Sequence, residues 1–120
     1  MIFVPTLDEH KNKYKQNKEL LNNELNITTC SNYDWIVIVV FYSALHLVEG
    51  ELARQGLHTY KHDNRMGLVN KYNSFVKIRA IYKYLYDRSI VARYHATNST
   101  NAVAKKCLKH LSDIEKEIVL

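Results

Sequence analysis

The sequence predicts an all-α domain: an up-and-down bundle of four main helices with one short extra helix. Three observations carry this. Gly and Pro are scarce, at three and one in 120 residues, whereas a sandwich or barrel needs turn residues every ten positions or so. Apolar residues recur at spacings of three and four over most of the chain. The longest apolar stretch also passes from a β-branched opening into a helical pattern with no turn between them. Hydrophobic residues at 47% and charged residues at 24% exclude a disordered or fibrous chain and fit one domain over residues 1–120.

Each element follows from local chemistry. Thr6 caps the first helix, and Glu9 three residues on completes a capping box. Leu7, Tyr14, Leu21 and Leu25 then form a narrow apolar stripe on a charged surface. The poor helix formers Ile27-Thr28-Thr29-Cys30-Ser31 end it, and Ser31 or Asn32 caps the second helix, about 32–55. Trp35 to Tyr42 read alone is a buried strand, but it continues unbroken through Ser43 to Gln55 until Gly56 stops it. A helix apolar on all sides at its start is central in a bundle or buried between subunits. Gly56 to Asn64 is a connector, 64–72 a short helix, and 75–95 a long one with Phe75, Ile78, Tyr82, Leu85, Ser89 and Ala92 spaced by three and four. Ala96 to Thr100 is a loop leading to a cap. The last helix, 101–118, buries Val103, Cys107, Leu111, Ile114 and Ile118.

Charge narrows the partners. The net charge is +5, and it is uneven: residues 1–60 hold five basic and seven acidic groups, residues 61–120 twelve and five. Eight basic residues between Lys61 and Arg93 face only Asp63 and Asp87 there, the footprint of a surface that meets a polyanion. Cys30 and Cys107 make neither a disulfide framework nor a CxxC pair. The N-terminus shows no secretory leader. The apolar run Trp35–Val48 is shorter than the roughly 18–20 residues of a membrane span. A cytoplasmic, membrane-free protein is expected.

The segment Asp87 to His95 is the most informative one, and its spacing alone reads either as two exposed polar residues at the end of a basic helix or as a phosphodiester site. Arg88 and His95 are seven apart, nearly two helical turns and about 10 Å along the axis. An antiparallel copy of the same helix would bring two Arg and two His into one cleft. Arg stabilises a charged phosphorane there, and His moves protons near neutral pH.

This segment resembles the Arg-x(4–6)-His motif of HEPN domains, helical bundles named for higher eukaryotes and prokaryotes nucleotide-binding. Phe41-Tyr42-Ser43-Ala44-Leu45-His46, the Gly56-Leu57…Lys61-His62 connector and Arg88…Ala92-Arg93-Tyr94 are similar to small stand-alone prokaryotic members, so the resemblance covers roughly residues 33–118. It implies a metal-independent endoribonuclease of toxin or defence type, active as a homodimer with one site shared between the two subunits. The ribose 2′-hydroxyl would attack the adjacent phosphate, leaving a cyclic phosphate and a 5′-hydroxyl. Arg88 would hold the phosphate and His95 act as acid or base. Tyr94, Arg93, Ser89, Lys61 and His62 would contact substrate. Ser89 stands where many active members carry Asn, Asp or His, and Arg93 where related proteins often carry Asp. The alternative is therefore a non-catalytic HEPN module that binds RNA or a nucleotide, or docks a nucleotidyltransferase-type antitoxin.

Other chemistries have less behind them. His46, His58 and His62 suggest a metal cluster, but no carboxylate or Cys stands at ligand spacing, so no metal and no cofactor are expected. His46 reads as a core or interface histidine, and His10 and His110 as surface residues. Tyr82 belongs to the core stripe, while Tyr60, Tyr72, Tyr84 and Tyr86 include candidates for base stacking. No Gly-rich phosphate loop, GxSxG elbow or HExxH is present.

Overall fold

Thr6 opens the first helix through a reciprocal pair of bonds. Its hydroxyl accepts from the Glu9 N–H, and the Glu9 carboxylate accepts from the Thr6 N–H. Two donors that a helix start leaves open are thereby satisfied. The computed structural model of the chain describes residues 4–120. Among them are five α-helices and no strand: α1 (Leu7–Asn22), α2 (Tyr33–Arg54), α3 (His62–Lys71), α4 (Arg79–Tyr94) and α5 (Asn101–Glu117). The expectation that no leader precedes the domain rests partly on Met1–Phe3, which lie outside the described residues.

α2 is the centre of this helical bundle. α1, α4 and α5 all pack against it, and Ile36, Val40, Ala44, Val48 and Leu52 are completely buried. Three neighbours within the chain thus cover most of its apolar girth, while Trp35 at its start stays exposed. Phe75, Ile78, Tyr82 and Leu85 enter from the other side, and Cys107, Leu111 and Ile114 from α5. Each fully buried Leu, Ile, Val or Phe contributes about 1.5–3 kcal/mol. The helix is 22 residues long, and an 18-residue window reaches a mean hydropathy of 1.7, enough by length and composition to cross a membrane. The 14-residue apolar run understates that reach, because the helix continues beyond it. Within the fold, 61% of that window is buried by the protein itself, as in the core helix of a bundle.

The structure corrects four local expectations. The predicted helix 75–95 is broken at its start. A single 3-10 turn at Asn73–Phe75 leads through a second turn into α4. Arg79 holds the break together, its Nε donating to Val69 O at 2.7 Å and one Nη to Tyr72 O at 3.0 Å, so the Val69 carbonyl near the end of α3 finds a charged donor, and Tyr72 O takes one beside the Phe75 N–H. Asn32 occupies the cap position of α2 but makes no side-chain cap bond, while Asp34 in the first turn accepts from the Ser99 N–H at 2.8 Å. His10 is buried, not on the surface, because α1 lies along α2 and sets the His10 ring against His46 and His58. His110, also expected at the surface, is half-buried edge-on to Tyr84.

Candidate functional site

α2, α3 and α4 converge on a cleft of about 370 Å³ whose walls are mostly aromatic and basic. Phe41, Tyr42 and Leu45 come from α2, Tyr60 from the connector, His62 and Arg65 from α3, and Tyr86, Ile90, Arg93 and Tyr94 from α4. On α4 the spacing Tyr86, Ile90, Arg93 keeps these side chains on one face. A second cleft, lined by Trp35, Ile38, Tyr42 and Arg93 among others, adjoins it, so Tyr42 and Arg93 stand where the two meet.

Arg93 is the organised cation of this surface. Its Nε donates to Ser89 O at 3.2 Å, one Nη to Ser89 Oγ at 3.2 Å and the other Nη to Tyr42 Oη at 3.0 Å. The guanidinium carbon lies 5.7 Å from the Tyr42 ring centre and 5.3 Å from that of Tyr94, within cation–π range. Of the five N–H donors of an Arg, three are used to fix it and two remain for a ligand. Among the described residues, none of the ion pairs includes Arg93. Ser89 is fully buried beneath it, with its hydroxyl donating to Tyr86 O at 2.7 Å. Ser89 therefore positions Arg93 and does not face the cleft.

His62 lies flat on Tyr86, the ring centres 3.3 Å apart and the planes within 8°. Burial lowers its pKa from the ordinary 6.5, with the Arg65 charge acting in the same direction and Asp63 and Asp87 opposing. A histidine harder to protonate when folded takes up fewer protons than the unfolded chain below pH 6.5. Its contribution to stability is thus intact above about 6.5 and falls as pH drops from there through the depressed folded value. Denaturant titrations at pH 7.5 and 5.5 are expected to show wild type losing more stability on acidification than His62→Gln. Equal losses would contradict this placement.

The remaining expected site residues are spread around α4. Tyr94 is on the cleft rim and 72% exposed. Lys61 is exposed and caps α3 by position, between the cleft residues Tyr60 and His62. Arg88 lies on another side of α4 and does not line the cleft. Its charge acts on Tyr84 and on Cys107 of α5, where burial nevertheless pushes the thiol up to about 11. The Arg88 Nε is buried without a hydrogen-bond partner. His95 is the first residue past α4, exposed and in an extended conformation at φ −92° and ψ 151°. The two-turn spacing therefore orients Arg88 alone, because the backbone has left the helix when it reaches His95.

A second cluster lies where α1, α2 and the connector meet. Glu49, with 2% of its side chain exposed, pairs through Oε1 with Arg65 Nε at 2.7 Å, and the Thr59 hydroxyl donates to the same oxygen. Its Oε2 faces His58 Nδ1 at 3.5 Å. His10 and His46 meet through their Nδ1 atoms at 3.0 Å. Burial lowers the pKa of His10 and takes that of His46 down to about 4. Ligand atoms of His10, Glu49 and His58 lie within 4.8 Å of one another. The sequence reading missed this set by placing His10 outside and by finding no carboxylate. The available signal was His46 and Glu49 three apart on one helix, which share a face.

Comparison of the sequence with models of known protein families finds none that matches. A search of curated proteins finds no relative either.

Proposed function

We propose that this chain is a HEPN-type up-and-down bundle that binds RNA or a nucleotide in the cleft between α2, α3 and α4. The observation that carries the reading is Arg93, held rigid by Ser89 and Tyr42 with donors to spare, beside exposed Tyr94. A preorganised guanidinium loses little freedom on taking a phosphate oxygen, and open aromatic faces beside it suit bases. The neighbouring cleft with half-exposed Trp35 extends the same surface, as a single strand of more than one nucleotide requires. Lys61 adds charge at one end. On this reading such a module would act in the cytoplasm, with a nucleotidyltransferase-type antitoxin as its protein partner.

A second reading, the metal-independent ribonuclease, draws on Arg88 and His95. Arg88 has a buried donor without a partner and His95 is exposed at the same end of α4. In a homodimer these groups from two subunits would share one site. The 2′-oxygen would bond to phosphorus as its proton passes to a base, and the 5′-oxygen would leave protonated. An RNA assay in EDTA separates the readings. Binding without cleavage, unaffected by Arg88→Ala or His95→Ala, supports the module. Cleavage that both substitutions abolish in folded protein supports the enzyme. Neither binding nor cleavage by well-folded protein overturns both.

A further inference from the structure

We propose that His10, Glu49 and His58 form a structural site for a divalent first-row transition ion, Zn²⁺ in particular, which ties α1 to the connector between α2 and α3. Two imidazoles and one carboxylate are a donor set that Zn²⁺ accepts, with water or a further donor completing four-coordination.

The geometry points there through atoms that the fold leaves over. His10 Nε2, Glu49 Oε2 and both ring nitrogens of His58 are buried and lack hydrogen-bond partners. Buried polar atoms almost always find a partner, and here such atoms from three separate segments gather within 4.8 Å. The Glu49 Oε2 to His58 Nδ1 separation is 3.5 Å. Two ligands on a tetrahedral ion with bonds of about 2.0–2.1 Å stand roughly 3.4 Å apart.

The outer contacts are those of a metal site. Arg65 and Thr59 occupy the other oxygen of Glu49 and fix the direction of Oε2. The Nδ1 of His10 is engaged by His46, which leaves Nε2 as the nitrogen that faces the other two groups. Partners of this kind orient metal ligands and set the imidazole tautomer. A groove of about 350 Å³ lined by His10 and His46 lies beside the cluster. The site adjoins the Arg93 cleft, since Arg65 lines that cleft and pairs with Glu49, and Tyr60 of the cleft packs edge-on against His58, but its three ligands take no part in the proposed RNA chemistry. It would, however, hold in place the connector that delivers Tyr60 and His62 to that cleft.

The test is Zn²⁺ titration of the full chain, stripped with chelator and kept reduced, by competition with a chromophoric indicator. Wild type is expected to take up one Zn²⁺ per chain with micromolar or tighter affinity, and its melting temperature to rise with free Zn²⁺. His58→Gln and His10→Gln are each expected to lose at least tenfold in affinity while keeping wild-type helicity, and Cys30→Ser to lose none. Nitrogen NMR of the wild-type imidazoles covers the case in which a variant fails to fold: Zn²⁺ should move the resonances of His10 Nε2 and of His58. No uptake at micromolar Zn²⁺ overturns the proposal. So does uptake undiminished in both His variants, or resonance shifts confined to other histidines.

Discussion

Replacing Arg65 with Ala is expected to cost about 3–5 kcal/mol of folding stability, because it strips the charge partner from a buried carboxylate. Glu49 and Arg65 have side-chain exposures of only 2% and 9%. Without the guanidinium, Glu49 keeps a hydroxyl and an imidazole but no permanent cation. A loss of that size approaches the whole stability of many domains of this length. Urea denaturation at pH 7 in EDTA measures it. The informative control is Arg65→Met combined with Glu49→Met, which removes both charges and fills the space. It should recover most of the loss, since a buried pair is expensive to break but cheap to replace. A single variant that unfolds no earlier than wild type would mean that the pair is not buried as described.

Replacing Arg93 with Ala is expected to weaken binding of a short single-stranded RNA at least tenfold, a difference of about 1.4 kcal/mol or more. Arg93→Lys should fall between the two, since it keeps the charge and loses the planar fork that Ser89 and Tyr42 hold. The salt dependence gives an independent check. Each phosphate contact on a single strand contributes about −0.7 to the slope of log K against log salt, so Arg93→Ala should shift that slope by about that amount. Unchanged affinity in a folded Arg93→Ala protein would remove the basis for the cleft as a binding site.

How far the sequence could be read depends on which interactions are local. The Thr6 capping box is a contact between residues three apart, so it was legible and is formed. So was the unbroken helix α2 from Tyr33 to Arg54, where the absence of any turn residue outweighed the strand preference of Ile36 to Val40. The start of α4 was not legible. The break at Val76–Ile78 is held by Arg79 reaching back to carbonyls of Val69 and Tyr72, and no spacing in the sequence announces that. His10 was misplaced for a similar reason. On α1 it looks like one more polar residue, and only the packing of α1 on α2 brings it to His46 and His58.

The candidate site divides along the same line. Arg93 and Tyr94 were picked out from the helix end, and His62 from the connector, while Tyr42 and Tyr86 were noted without their role. What joined them was tertiary: Tyr42 lies 51 residues from Arg93 and bonds its guanidinium. Arg88 and His95 drew attention through a spacing that presumes one continuous helix, and the helix ends one residue before His95.

The most direct test of the central claim is to locate the ligand on the protein. Two-dimensional NMR of the labelled chain, titrated with a short single-stranded RNA at low salt, should move resonances of Tyr42, Tyr60, His62, Tyr86, Arg93 and Tyr94 together and leave the Arg88–Cys107 side of α4 unchanged. Perturbation centred on Arg88 and His95, or none anywhere at saturating RNA, would contradict the assignment of this cleft.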